Sequence, residues 1–274
     1  MFQPSASQIV TLTSDFGLCD PWVAEFKAAI LGVAADLTLI DISHSITAFH
    51  IPQAAYLVHT ACRRFPAGTI HVVGVDPHPT DRGLLLLLAD QVFIGPDNGV
   101  FTPLLDADDT ESKSPRVFQL DQPQYWGHPH PTTFRARDVF GPVAGHLTRG
   151  VTPGQLGSPT TLDARKPTDS RSRSTPGPAG EVVHVDRFGN LITGIPGTGL
   201  AQDTVVQIGD HRISGLSRTF DDPVGDQPLL ALVGSNGYLE ICLPRGSAAQ
   251  LTGLGQGTPV TIRGGTRRSD TGQA

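Results

Sequence analysis

Two rhythms of apolar residues alternate through the first half of the chain. Short β-branched runs, Ile9 to Thr13, Leu37 to Ile40 and Thr69 to Val75, read as buried strands. Between the first two, Trp22, Val23, Phe26, Ala29, Ile30 and Val33 recur at helical spacing, with Asp20 and Pro21 as cap and first-turn residue. Ile51, Ala54, Ala55, Val58, Ala61 and Cys62 repeat that spacing after the second run. Then come Leu84 to Leu88 and Val92 to Ile94, with a tight turn expected at Asp90-Gln91. Val117 to Leu120 adds a strand, and Asp138 to Leu147 reads as a helix. This β-α-β-α-β order predicts an α/β N-terminal domain, 1–163, with a mostly parallel sheet.

The pattern changes near residue 164. Residues 164–180 are rich in Ser, Pro, Arg, Thr and Gly without apolar periodicity, and read as a linker. Beyond it, six short apolar runs are separated by Gly, Asp and Asn turns: 181–185, 191–195, 204–208, 229–233, 238–243 and 259–262. They predict an all-β, barrel-like C-terminal domain over 181–274, with a polar tail from Gly264.

Composition narrows the function. Of 274 residues, 38% are hydrophobic and 17% charged, enough for packed cores. A net charge of −6 without a long basic run argues against nucleic-acid binding, which needs phosphate neutralisation. No apolar run approaches the roughly 20 residues that span a bilayer. The first eight residues lack the charge and apolar core of a signal peptide. Cys19, Cys62 and Cys242 are too few and too scattered for a disulfide framework or a zinc knuckle. A cytoplasmic location and a small-molecule ligand are the expectation.

The candidate chemistry sits where strands end. The first three strands run into Ser14-Asp15, Asp41 and Asp76-Pro77. Open α/β sheets bind ligands outside the carboxyl ends of their strands. Three aspartates there predict a carboxylate cluster at one sheet edge. No P-loop, GxGxxG, HExxH or GxSxG motif is present, and the ten histidines show no metal-ligand spacing, so no metal is expected. His128 and His130 flank Pro129 and read as a solvated loop. Other polar groups at loop positions are Arg82, Asp97-Asn98, Phe134 to Asp138, Asp186 to Asn190 and Gly234 to Gly237. Each has a bland reading. Asp97 to Gly99, Asp186 to Asn190 and Ser235 to Gly237 suit turns, and Asp138 suits a helix cap. These residues alone carry the argument to a small-molecule enzyme or binder.

Together, however, six stretches resemble the S-adenosyl-L-methionine hydroxide adenosyltransferase (SAM hydrolase) family, relatives of the chlorinase and fluorinase enzymes. They are Thr13-Ser-Asp-Phe-Gly17, Asp41-Ile-Ser-His-Ser-Ile46, Val75-Asp-Pro77, Pro96-Asp-Asn-Gly99, Asp186-Arg-Phe-Gly-Asn190 and Gly234-Ser-Asn-Gly-Tyr-Leu-Glu240. They occur in family order over roughly residues 9 to 263.

The resemblance implies a homotrimer, with sites shared between one subunit's N-terminal domain and its neighbour's C-terminal domain. It implies S-adenosylmethionine as substrate and no cofactor. Asp15 would hold the ribose hydroxyls and Phe49 would pack on the sugar. Asn98, Asp186, Phe188, Asn190, Ser235 and Asn236 would complete the substrate site. Family hydrolases place an Asp-Arg-His set around the attacking water. Asp76 and Arg82 match the first two, with a loop between them one residue shorter. Arg135 stands where the histidine is expected, in Phe134-Arg-Ala-Arg-Asp138. Halogenase relatives carry Tyr at the position of Asp76, and a carboxylate there repels a halide while it can orient water. The expectation is hydrolysis to adenosine and L-methionine. The alternatives are a slow or inactive adenosyl-ligand binding protein and, below it, a halogenase.

Overall fold

The first apolar run becomes β1 (Ile9–Ser14), second from one edge of the N-terminal sheet. The structure, a computed structural model, describes residues 8–76, 82–105, 115–129, 133–162, 179–222, 224 and 227–263. Two compact units emerge, Met1–Asp169 and Ser170–Ala274. All but the last two residues of the expected linker, the loop 77–81, His130 and the tail from Gly264 lie outside the described residues.

In the first unit β1 is followed by α1 (Trp22–Leu31), β2 (Thr38–Ser43), α2 (Ile51–Cys62) and β3 (Ile70–Gly74). Then come β4 (Gly83–Leu88), β5 (Gln91–Pro96), α3 (Thr102–Leu105) and β6 (Arg116–Gln119). A π-helical turn, Ala136–Phe140, runs into α4 (Gly141–Thr148); α5 (Pro153–Leu156) and β7 (Ser158–Thr160) close the unit. The predicted single helix over 138–147 is thus a π-turn joined to an α-helix. Pro21, not Asp20, holds the cap position of α1, without a side-chain cap bond.

The seven strands lie in the order β2-β1-β3-β5-β4-β6-β7. The β2-β1-β3-β5 pairings are parallel, and β5-β4, β4-β6 and β6-β7 are antiparallel. The sheet is therefore mixed, and the mostly parallel expectation describes only its first half. The cause is local. β4 and β5 are separated by Ala89 and Asp90 alone, with Ala89 at φ +51°, and so short a link joins only antiparallel strands. The turn sits one residue earlier than the expected Asp90-Gln91.

Both sheet faces are covered, so β4 is buried along its whole length rather than every second residue. Leu85 and Leu87 join Val10, Leu12, Phe26, Ile30, Phe140 and Val143 in one core. Leu84, Leu86 and Leu88 join Ala54, Val58, Val73 and Phe101 in the other. From β1 the chain crosses to β2 on one side and later returns to β3 on the other. That reversal lies between β1 and β3, and the carboxyl ends of strands at such a reversal are where open α/β sheets take ligands in a crevice.

The second unit contains β8 (Ala179–Val185), β9 (Leu191–Pro196), β10 (Val205–Ile208), β11 (His211–Ser214) and β12 (Leu216–Ser217). β13 (Leu230–Val233), β14 (Tyr238–Cys242), α6 (Ala248–Thr252) and β15 (Pro259–Arg263) complete it. The eight strands run β11-β10-β15-β8-β9-β14-β13-β12. The two edge strands, β11 and β12, are consecutive in sequence and separated by one residue, Gly215 at φ +83°. One residue cannot span an open eight-stranded sheet, so the sheet must curl until its edges meet. The result is nearly closed and barrel-like, around Val182, Leu191, Val206, Ile241 and Val260. The short strands β7, β11 and β12 and helix α6 escape the hydrophobic pattern because each spans only two to five residues. Among the described residues no helix is long and apolar enough to cross a membrane.

Candidate active site

The carboxyl ends of β1 and β3 bring Asp15 and Asp76 together. Burial pushes the Asp15 carboxyl above the ordinary aspartate range, hydrogen bonds from backbone N–H groups oppose this, and the nearby Asp76 charge raises it further. Asp15 Oδ2 accepts the backbone N–H of Phe49 at 2.8 Å. Phe49 itself sits at φ +64° with its ring 69% exposed. A left-handed backbone at an aromatic residue costs free energy, and such strain clusters at binding sites.

Asp76 also has a left-handed backbone, φ +40°. Asn98, buried after β5, holds it there. Its Nδ2 donates to the carbonyls of Val75 at 3.0 Å and Asp76 at 2.8 Å, and its Oδ1 accepts Val100 N–H at 3.2 Å. The Asn98 side chain is thus committed to the backbone that presents Asp76.

Arg82 is anchored on two sides. Its Nη1 lies 3.0 Å from Asp97 Oδ2, and its Nη2 donates to Thr160 Oγ1 at 3.0 Å. Asp97 is 2% exposed, so this is a buried carboxylate neutralised by a half-exposed guanidinium. The contact to Asp97 is an ion pair without the alignment of a hydrogen bond. Among the described residues Arg82 Nε has no hydrogen-bond partner.

Arg135 opens the π-helical turn and is 3% exposed. Its guanidinium carbon lies 5.9 Å from the centre of the Phe140 ring. A Cβ placed on Gly83 would meet its Nη2 at 3.6 Å, so Arg135 packs beside the residue that follows Arg82. A surface role for Arg135 is excluded. The neighbouring Arg137 is the outward one. It forks onto Asp138 at 2.6 and 3.0 Å and reaches Glu25 at 2.7 Å, with Phe134 beneath it. Asp138 therefore lies inside the π-turn as a salt-bridge partner rather than capping a helix.

The third aspartate leaves the expected cluster. β2 runs three residues past the apolar run that ends at Ile40, so Asp41 lies within an edge strand, not beyond it. There it binds Lys27 at 2.7 Å and lies 3.1 Å from His44 Nε2. Among the described residues no group of three His, Cys, Asp or Glu could hold a metal ion.

In the second unit, Asp186 to Asn190 form the β8–β9 turn. Asp186 Oδ1 accepts the N–H groups of Phe188 and Asn190, both at 2.9 Å, and its Oδ2 accepts Asn190 Nδ2 at 2.8 Å. Gly189 supplies the required positive φ, +84°. This hydrogen-bonded loop leaves Phe188 76% exposed. Ser235 and Asn236 are exposed in the β13–β14 turn. Leu191 pairs with Ile241 and Tyr238 with Pro196, so the two turns lie at opposite ends of the β9–β14 ladder.

Two residues of the quoted motifs were given no role of their own from the sequence. Asp97 reads locally as a turn residue, and only its burial beside Arg82 marks it. Glu240 is buried in β14 between the two turns, and burial, then the Asp186 charge, raises its carboxyl. The signal available for Glu240 was an acidic residue inside an otherwise apolar strand.

Comparison with known proteins agrees with this architecture. The chain is 36% identical to the (R)-S-adenosyl-L-methionine hydrolase of Thermus thermophilus over 92% of its length and 98% of that protein's. A fluorinase of Nocardia brasiliensis is 25% identical, covering 94% of this chain and 97% of its own. The crystal structure of an uncharacterized conserved protein from Thermotoga maritima superposes with a TM-score of 0.75 at 28% identity, over 93% of this chain and 99% of that one. Residues 10–157 match the SAM hydroxide adenosyltransferase N-terminal domain and residues 180–261 its C-terminal domain, so the chain belongs to the SAM hydroxide adenosyltransferase family.

Proposed function

We propose that this chain hydrolyses S-adenosyl-L-methionine to adenosine and L-methionine. The observation that carries the reading is the Asp15–Asp76 pair at the sheet's reversal point, with Asp76 held by Asn98. Water attacks the ribose C5′, the new C–O bond forms, and the C5′–S bond breaks. The sulfonium takes the electron pair and leaves as a neutral thioether, so no general acid and no cofactor are needed. Asp76 orients the water and accepts its proton. Arg82 and Arg135 stabilise hydroxide character, and positioning in a preorganised polar site supplies much of the rate.

Asp15 accepts the ribose hydroxyls and Phe49 covers the sugar. Asn98 acts through the backbone of Asp76. Asp186, Phe188, Asn190, Ser235 and Asn236 bind the adenine and methionine parts. Each catalytic assembly is a homotrimer, with sites completed by the neighbouring subunit. Two exposed aromatic residues, Phe49 and Phe188, are available to such a shared site. Light scattering should return three chain masses, and a tight-binding monomer would rule the shared site out.

Incubation of purified protein with S-adenosylmethionine, with and without chloride or fluoride, tests the reaction. Chromatography should show adenosine and methionine in equal amounts whatever the halide. A 5′-halogenated nucleoside would assign the chain to the halogenases. Ligand binding without turnover would support the second reading, a slow adenosyl binder, which the arginine at position 135 favours.

Asp15→Asn separates binding from stability. Because its folded pKa is raised, the native state holds the Asp15 proton more tightly than the unfolded chain does. Ionised Asp15 therefore costs stability at neutral pH, and that cost vanishes as pH falls through the folded pKa. Asparagine removes the charge. The ligand-free variant should melt at a higher temperature than the parent, while adenosine affinity falls by about tenfold or more, from loss of charge-assisted hydrogen bonds. Unchanged affinity in calorimetry would remove Asp15 from the site.

A further inference from the structure

Directly behind Asp15 lies a chain of polar contacts in an otherwise apolar layer. Ser14 is fully buried, and its Oγ lies 2.6 Å from His44 Nδ1. His44 is 4% exposed, and its Nε2 lies 3.1 Å from Asp41 Oδ1. Asp41 Oδ2 in turn accepts from Lys27 Nζ at 2.7 Å. Burial raises the Asp41 carboxyl, but Lys27 and His44 outweigh this and hold it below its ordinary range, so it is ionised at neutral pH. The His44 Nε2–Asp41 Oδ1 contact is electrostatic, without the alignment of a hydrogen bond. Between Ser14 Oγ and His44 Nδ1 either atom can donate, according to the imidazole tautomer. The Ser14 oxygen remains available to the Phe16 N–H, 3.5 Å away. The His44 backbone adds a second tie, its carbonyl accepting Gly17 N–H at 2.7 Å. Ser14, Phe16 and Gly17 enclose Asp15 on both sides.

Serine, histidine and aspartate in a line invite comparison with a nucleophilic triad. The burial excludes it: Ser14 is fully buried, so no solvent or substrate reaches its Oγ.

We propose that His44 is a positioning residue, which fixes the loop carrying Asp15 through Ser14 and is itself oriented by Asp41 and Lys27. This rests on the assignment of Asp15 to the ribose hydroxyls. The physical need is clear. Asp15 already gives one oxygen to Phe49 N–H, so the carboxylate must be set in one orientation to meet two hydroxyls. The sheet alone does not supply this precision, because the loop begins at the last residue of β1.

The test is a cycle of Asp15→Asn, His44→Ala and the double variant, read by adenosine calorimetry and by turnover of S-adenosylmethionine. His44→Ala should weaken adenosine roughly tenfold and raise KM similarly, with kcat changed less than about twofold, the split expected for lost ribose orientation. In the Asp15→Asn background it should add nothing. His44→Asn, whose amide oxygen can accept from Ser14, should recover most of the affinity. His71→Ala serves as the packing control. That histidine is equally buried on β3 and bonds Thr11 at 2.7 Å, so its loss should lower the melting temperature without weakening adenosine. Should His44→Ala not fold, Asp41→Ala cuts the same chain from its half-exposed end and should weaken adenosine severalfold. Full affinity in the His44 or Asp41 variants, with Asp15→Asn impaired, would overturn the proposal. Full affinity in Asp15→Asn would overturn the underlying assignment instead.

Discussion

Asp76→Asn is expected to lower turnover by roughly 10²–10⁴-fold, the range of general-base contributions, with a much smaller change in KM. The variant is clean for a structural reason. Asp76 occupies φ +40°, and asparagine is among the few residues that accept a left-handed backbone. The Asn98 bonds go to the carbonyls of Val75 and Asp76, not to the carboxylate, so they survive the change. What is lost is a charge and a proton acceptor. A second effect should accompany the first. The Asp76 charge is one of the influences raising the Asp15 carboxyl, so without it Asp15 should ionise at lower pH. The acid limb of adenosine binding should then shift downward. Near-normal single-turnover rates would take Asp76 out of the mechanism and leave positioning as the main source of rate.

Breaking the Arg82–Asp97 pair should have the largest effect on stability. Asp97 is almost fully buried, and its cation lies 3.0 Å away. Removing one partner of a buried pair leaves an uncompensated charge and typically costs 3–5 kcal/mol. Because Arg82 is one-third exposed, Asp97→Leu should fall near the lower limit, about 3 kcal/mol, or roughly 6–12 °C in melting temperature for a unit of this size. Arg82→Met combined with Asp97→Leu removes both charges and should recover much of that stability. Turnover should remain low in both variants, because the arginine is displaced in one and absent in the other. A double variant with normal turnover would show that Arg82 serves the fold alone.

Much of this architecture could be read from short stretches of chain, and the reason is physical. Leu84 to Leu88 is apolar at every position because β4 is covered on both faces. The turn at Asp186 to Asn190 closes on itself through bonds spanning at most four residues. Asp15 and Asp76 were legible because strand ends are marked by an abrupt change from apolar to polar. Family order among six motifs then pointed to the chemistry.

What local pattern could not contain is contact between distant segments. The direction of β4 depends on a two-residue turn whose type the apolar pattern does not record. Asp41 looked equivalent to Asp15 and Asp76, yet β2 lies at the sheet edge and runs longer, which hands this aspartate to Lys27 and His44. The bond from Arg82 to Thr160 crosses 78 residues, and Ser14 to His44 crosses 30. The barrel closes because strands adjacent in sequence occupy opposite ends of the sheet order. The sequence by itself determined which segments are strands and helices, which residues stand at their ends, and the family to which the chain belongs. Only the tertiary structure decided which carboxylates face one another and which are neutralised, because charge pairing depends on distance in space and not on separation along the chain.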